Sequence, residues 1–178
     1  MAVSFPLKRS AFNSRKYMYP TIYRIKKFEA GELSVMAKPV SGEWIEDEFQ
    51  GLKMLGVDVI VSLLELAEAR EVGLSEELDL CLKNGIEFIN FPIPDRGLPD
   101  TEKAKVLSKQ LLSEINGGKH IVIHCRAGIG RTGIISGAVL KESGIDTKSA
   151  IDIISESRGV QVPDTIEQEN WLFNYSLI

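Results

Sequence analysis

Apolar positions along the chain change period repeatedly, and the changes mark out alternating strands and helices. Residues 21–25 and 32–36 are short β-prone runs separated by Glu29-Ala30-Gly31, so they read as a strand pair joined by a turn. Ile45, Phe49, Leu52 and Leu55 recur at helical spacing, and Gly56 ends that helix. Residues 57–64 (VDVIVSLL) are a continuous β-branched run, the pattern of a strand buried on both faces. Ser75 is placed to cap a helix over 76–83, which Asn84-Gly85 terminates. A strand over 86–93 closes at Pro92 and Pro94. Asp100 is placed to cap a long helix with Ala104, Leu107, Leu111 and Ile115 on one face, stopped by Gly117-Gly118. Residues 120–123 form a short apolar strand. A helix over 132–143 is apolar almost all round, and two more follow near 147–157 and 165–175.

Strands separated by helices of this length predict an α/β fold: one domain, with a central, mostly parallel, twisted sheet and right-handed crossovers placing helices on both faces. Such sheets bind ligands beyond the carboxyl ends of their strands. The loops after Ile123 and Ile93 are therefore expected to wall one site. Composition agrees with a globular domain. The 178 residues are 44% hydrophobic and 26% charged, which excludes wholesale disorder and collagen, and two cysteines are too few for a disulfide scaffold. Sparse cysteine points to a reducing compartment, and the expected location is the cytoplasm. No run approaches the roughly 18–20 apolar residues of a membrane span.

Charge adds one asymmetry. The net charge of −4 argues against a nucleic-acid partner. Yet Lys8, Arg9, Arg15, Lys16, Arg24, Lys26 and Lys27 fall within the first 28 residues, which contain no acid. Residues 1–19 thus read as a basic arm before a domain over 20–178. The arm reads first as a solvated tail; weak contact with anionic lipid and an organelle transit peptide are its other readings. No secretory signal is expected, since no apolar stretch follows the charges.

The loop after Ile123 carries the chemistry: His124-Cys125-Arg126-Ala127-Gly128-Ile129-Gly130-Arg131-Thr132-Gly133. It joins a strand to a helix, and the first turn of a helix presents unpaired N–H groups and partial positive charge. Small residues at 127, 128 and 130 let successive N–H groups converge on one point. Arg131, where the helix begins, can fork onto two oxygens of a tetrahedral oxyanion. Residues 126–131 thus predict a phosphate cradle with the Cys125 thiol at its floor. A free thiol titrates near 8.5, and helix N-termini with cationic neighbours bring cysteines into the range of roughly 3.5–7.5, so a thiolate nucleophile is expected. The expected reaction is in-line attack on phosphorus, giving a cysteinyl-phosphate that water hydrolyses. The arginine and amides supply the positive charge, so neither metal nor other cofactor is expected.

A cysteine followed by arginine six positions later is a weak signal alone. The full string HCRAGIGRTG, after an apolar strand and opening a helix, closely resembles the signature loop of the cysteine-dependent protein tyrosine phosphatase superfamily. Chain length and element order resemble its small dual-specificity members, over about residues 20–178. The resemblance implies a general acid from an earlier loop, and Asp95 in Phe91-Pro92-Ile93-Pro94-Asp95-Arg96-Gly97 fits it. The plainer reading of Pro94-Asp95-Arg96-Gly97 is a turn. Asp100 is the rival acid, explained more simply as a helix cap.

The resemblance also assigns supporting roles. His124 would hydrogen-bond around the loop, Thr132 would donate toward the sulfur, and Gln168 would orient the hydrolytic water; the plainer reading of His124, a lone histidine ending a strand, is a packed side chain. Thr165-x-x-Gln168 is equally a capping box. Cys81 reads as a buried helix residue, with a redox partnership to Cys125 as the alternative. The chain lacks the extra recognition segment of phosphotyrosine-only members, so phosphotyrosine, phosphoserine and phosphothreonine in proteins are the expected substrates of a monomeric enzyme. A phosphoinositide or inositol phosphate is the alternative: Arg126 is basic as in the inositol-lipid enzymes, but Ile129 stands where those carry a second base. Non-catalytic phosphate binding and rhodanese-like or arsenate-reducing chemistry are readings from other classes.

Overall fold

The structure is a computed structural model that describes residues 19–176. Most of the basic arm, with Lys8, Arg9, Arg15 and Lys16, lies outside the described residues. Five strands form one sheet: β1 (Tyr23–Lys27), β2 (Glu32–Met36), β3 (Val59–Ser62), β4 (Glu87–Asn90) and β5 (His120–His124). Their order is β1-β2-β5-β3-β4; β1 runs antiparallel to β2, and the other pairs are parallel. The mostly parallel, single-domain α/β architecture expected from the pattern is what the chain adopts.

Strand alternation divides the core. Leu33, Val35, Val59, Val61, Ile121 and Ile123 face one layer, while Met36, Ile60 and Val122 face the other. The second layer is closed by α1 (Ile45–Met54), through Phe49 and Leu52, and by α3 (Glu77–Lys83), through Leu80 and Cys81. The first is closed by α4 (Thr101–Asn116), α5 (Gly130–Glu142) and α6 (Thr147–Arg158). Burial of a Leu, Ile or Phe side chain contributes about 1.5–3 kcal/mol, so each layer depends on a few such positions.

Helix α5 is buried on nearly all sides, as its apolar sequence predicts. A Cβ at Gly133 would collide with Val162, and one at Gly137 would lie 2.6 Å from Leu172 of α7 (Ile166–Asn174). Glycine in a helix interior costs about 1 kcal/mol relative to alanine, and the close packing of these segments on α5 is what that cost permits. Among the described residues no helix is long and apolar enough to cross a membrane.

Four local expectations are corrected. β1 lies two residues later than the pattern suggested, with a bulge between Arg24 and Lys26. The strand expected over 57–64 is regular only at Val59–Ser62, although the Leu63 N–H still donates to His124 O (3.0 Å), Leu63 O accepts from the Ile93 N–H (3.1 Å), and Leu63 and Leu64 stay buried. Ser75 does not cap α3; the N-cap is Glu76 and makes no side-chain cap bond. A short helix, α2 (Leu66–Glu71), stands where no element was expected. It has no apolar stripe to announce it, since Leu66 is exposed and its inward-facing residue is Glu68. Its reason for existing lies in the site.

Candidate active site

β5 is the central strand, flanked by β2 and β3, and the chain leaves its carboxyl end as a tight loop entering α5. Gly128 makes the curl possible. Its φ is +68°, and a Cβ there would collide with the carbonyl oxygen of Met36. Lys38 N–H donates to Arg126 O (3.2 Å), tying the loop to the chain beyond β2.

Cys125 is 3% exposed at the floor of a cavity of about 230 Å³. Its Sγ accepts from Thr132 Oγ1 (2.8 Å) and from the Gly128 N–H (3.3 Å). Ala127, Ile129, Gly130 and Arg131 line the cavity above it.

Arg131, 2% exposed, is held in a fixed plane. Nη1 and Nη2 donate to the two Glu68 oxygens (2.6 and 2.8 Å), and Nη1 also donates to Ile93 O (3.0 Å). Burial alone would lower the guanidinium pKa, but the Glu68 bond, with Cys125 and Asp95 nearby, raises it on balance. Glu68 is held below the usual carboxylate range, chiefly by its hydrogen bonds from Arg131, against the opposing effect of burial. Sequence reasoning missed Glu68, yet one signal was available: it follows β3, whose carboxyl end lies on the edge already assigned to the site. Glu71, one turn on, accepts from Arg126 Nη2 (2.6 Å), so Arg126 reaches the cavity already paired.

Asp95 lies where the sequence placed it, in the loop after β4 and lining the same cavity. Its side chain is 61% exposed and Oδ1 accepts from Arg131 Nη2 (3.0 Å). Gly97 N–H donates to Pro94 O (2.8 Å), so the turn reading also holds. Asp100 is the N-cap of α4, accepting from Lys103 N–H (2.9 Å), and does not line the cavity.

Gln168 is fully buried and lines the cavity floor beside Gly130. Its N–H donates to Thr165 Oγ1 (3.3 Å), the backbone half of the expected capping box. Its Nε2 donates to Gly97 O (3.2 Å), and its Oε1 has no hydrogen-bond partner among the described residues. The backbone-capping and cavity-lining readings therefore hold together. Asp164 and Arg96 complete the rim as a loose pair at 3.8 Å.

His124 departs from expectation. Its Nε2 lies 2.7 Å from Glu77 Oε1 of α3, both groups buried, and its Nδ1 has no hydrogen-bond partner among the described residues. Residue 124 follows the strand's alternation onto the layer closed by α3, so its ring bonds Glu77 there and makes no bond to the cysteine loop among the described residues; the packed reading holds. Cys81 is also on that face, packed among Phe49, Leu52 and Ile60, while Cys125 belongs to the other layer. The redox alternative for Cys81 is thereby removed. Burial, assisted by Glu77, pushes its thiol pKa up strongly.

Comparison with known proteins agrees with this geometry. The chain is 27% identical over 133 residues to Cyclin-dependent kinase inhibitor 3 of Rattus norvegicus, a match covering 74% of this chain and 63% of the relative. The match thus spans less than two thirds of that curated relative's length. The fold is similar to that of kinase associated phosphatase crystallised with its catalytic-site cysteine changed to serine: TM-score 0.80, 23% identity, 89% of this chain and 94% of that one. It is also similar to Tk-PTP in its active form, with TM-score 0.71, 26% identity, and 88% and 96% coverage. Residues 34–144, which include the cysteine loop, Arg131, Glu68 and Asp95, match the model of one family, and the chain belongs to it: the polymorphic toxin system, DSP-PTPase phosphatases.

Proposed function

We propose that the protein is a phosphomonoester hydrolase acting on phosphotyrosine, phosphoserine and phosphothreonine in proteins through a cysteinyl-phosphate. The observation that carries this reading is the conjunction of Cys125 Sγ, bonded by Thr132 and the Gly128 amide, with Arg131 fixed in the same cavity. Glu68 and Ile93 O occupy three of the five guanidinium N–H groups. The Nη2 hydrogen on Asp95 and the Nε hydrogen then form the fork that receives phosphate oxygens. An arriving phosphate competes with Asp95 for Nη2 and frees its carboxyl group.

Sulfur attacks phosphorus as the bond to the leaving oxygen breaks, and Asp95 gives that oxygen its proton. Gln168 Oε1 then orients water for attack on the phosphoenzyme, Asp95 takes the water's proton, and Thr132 stabilises the departing sulfur. Backbone amides and Arg131 supply the positive charge, so no step calls on a metal.

Two features favour protein substrates over phosphoinositides. Both rim arginines are compensated, Arg126 by Glu71 and Arg96 by Asp164, and Ile129 is apolar. The mouth offers little net charge to a polyanion. Turnover of p-nitrophenyl phosphate in EDTA tests the chemistry: wild type should be active and Cys125→Ser inactive. Survival of activity in the serine variant would overturn the mechanism. Turnover of inositol phosphates above phosphopeptides would overturn the substrate assignment. We further infer a cytoplasmic monomer with its catalytic domain over 20–178. Salt-sensitive binding to anionic vesicles that disappears when residues 1–19 are removed would support the weak lipid contact of the arm; equal binding without them would leave it a solvated tail.

A further inference from the structure

The carbonyl oxygens on the outside of the cysteine loop are held by a residue far along the chain. Arg158, the last residue of α6, donates from Nη2 to Ala127 O (3.1 Å) and from Nε to Gly128 O (2.8 Å). Its guanidinium carbon lies 3.8 Å from the centroid of the Tyr23 ring on β1. The cation is thus stacked on one face and forked onto two consecutive backbone carbonyls.

A trans peptide is planar, and its C=O and N–H point in opposite directions. Holding Ala127 O outward therefore turns the N–H of Gly128 inward, and that N–H is the one that reaches Cys125 Sγ. Holding Gly128 O outward turns the N–H of Ile129 toward the cavity that Ile129 lines. Gly128, at φ +68°, is the residue between these two planes and has the widest conformational freedom of any residue type. Glycine gives the loop its curl and leaves its peptide planes free to turn. Arg158 removes that freedom.

The clamp is itself fixed. Asp146 caps α6 at one end, and Gly159, at φ +68°, closes it immediately after Arg158. A cation in the last turn complements the helix dipole. Ser157 Oγ donates to Arg24 O (2.6 Å), so α6 is tied to the strand that carries Tyr23.

We infer that Arg158, stacked on Tyr23, is a positioning residue that sets the Gly128 and Ile129 amides toward the sulfur and the phosphate. This deepens the phosphatase reading and rests on it for the catalytic consequence, although anion binding can be measured without turnover. In full-length protein, Arg158→Met should weaken competitive inhibition by inorganic phosphate and vanadate about tenfold. It should lower kcat/KM by about 10²-fold, the scale of effect that a small misplacement of reacting groups produces. The thermal midpoint should stay close to wild type, because the side chain sits at the surface end of α6. Arg158→Lys keeps the charge but has no planar fork, so it should fall between the two. Tyr23→Leu should shift the same constants in the same direction.

Phosphate and vanadate inhibition within about twofold of wild type in Arg158→Met would overturn the inference. Should the methionine variant not fold, Arg158→Lys decides: inhibition constants equal to wild type would overturn it, and weaker ones would support it. Oxyanion binding that depends on Arg158 in a wild-type protein without turnover would sink the catalytic reading and leave the clamp standing.

Discussion

At the scale of single residues, the site is organised around one buried ion pair. Arg131 is almost fully buried, and without Glu68 its remaining ion pair would be with Asp95, whose side chain is 61% exposed. Breaking a buried pair by removing one partner costs about 3–5 kcal/mol. Glu68→Gln keeps an acceptor but removes the charge, so its loss at neutral pH should lie near the lower end, about 3 kcal/mol. The sign of the pH dependence follows from the depressed carboxyl pKa. The stabilisation is fully present above the unfolded-state value of about 4.3 and is lost as pH falls through the lower folded-state value. Urea denaturation of both proteins should show a gap that is constant from pH 7 to pH 5 and narrows only in stronger acid. A gap that closed already at pH 6 would contradict this. That Cys125, Arg131 and Asp95 would share one cavity was legible because each sits in a local string. Glu68 is 63 residues from its partner, and its place after the carboxyl end of β3 is the one feature that sets it apart from a solvated helix acid.

At the scale of elements, Asp95 and Asp100 lie five residues apart and belong to different parts of the molecule. The first lies within a turn over 94–97 at the carboxyl edge of the sheet, and the second caps α4. Asp95→Ala should lower kcat on p-nitrophenyl phosphate by about 10²–10⁴-fold with little change in stability. Asp100→Ala removes the bond to Lys103 N–H and should cost about 1 kcal/mol of stability with activity retained. Steady-state kinetics and thermal melts on the pair check both, and crippled turnover in Asp100→Ala would reverse the assignment. The long, strongly periodic elements could be read from sequence because burial imposes their period: α4 on one face, α5 on every face, and β3 and β5 by continuous apolar runs. The short ones could not. α2 carries no apolar stripe, since it is held by the Glu68 bond to Arg131, and β1 is shifted by a bulge. His124 was read as a loop ligand because a string does not state which face its last strand residue takes.

At the scale of the whole molecule, the two ends of the sheet have different electrostatic duties. The carboxyl end of β5 holds the site, while its amino end holds His120, whose Nε2 lies 2.9 Å from Ser34 Oγ and 3.5 Å from Glu32. Burial lowers the His120 pKa, and this outweighs the opposing pull of Glu32, of Asp58 and of a backbone bond with Leu55; Arg24 adds to the lowering. The unfolded chain therefore takes up a proton at a higher pH than the folded chain does. Folded stability must fall as pH drops through about 6.5 toward the lower folded-state value, and level off below it. Glu48, whose carboxyl is raised by burial, acts in the opposite sense as pH falls, so the net curve of wild type alone does not isolate the histidine. A difference does. His120→Gln retains a polar partner for Ser34 and removes the titration, so its stability relative to wild type should rise between pH 7.5 and pH 5.5. A parallel pair of curves across that interval would show that His120 titrates alike in both states. The same measurement bears on the enzyme reading, because any acid-side decline in turnover that tracks this histidine belongs to unfolding at the far end of the sheet. A decline that persists in His120→Gln belongs to the chemistry around Cys125 and Asp95.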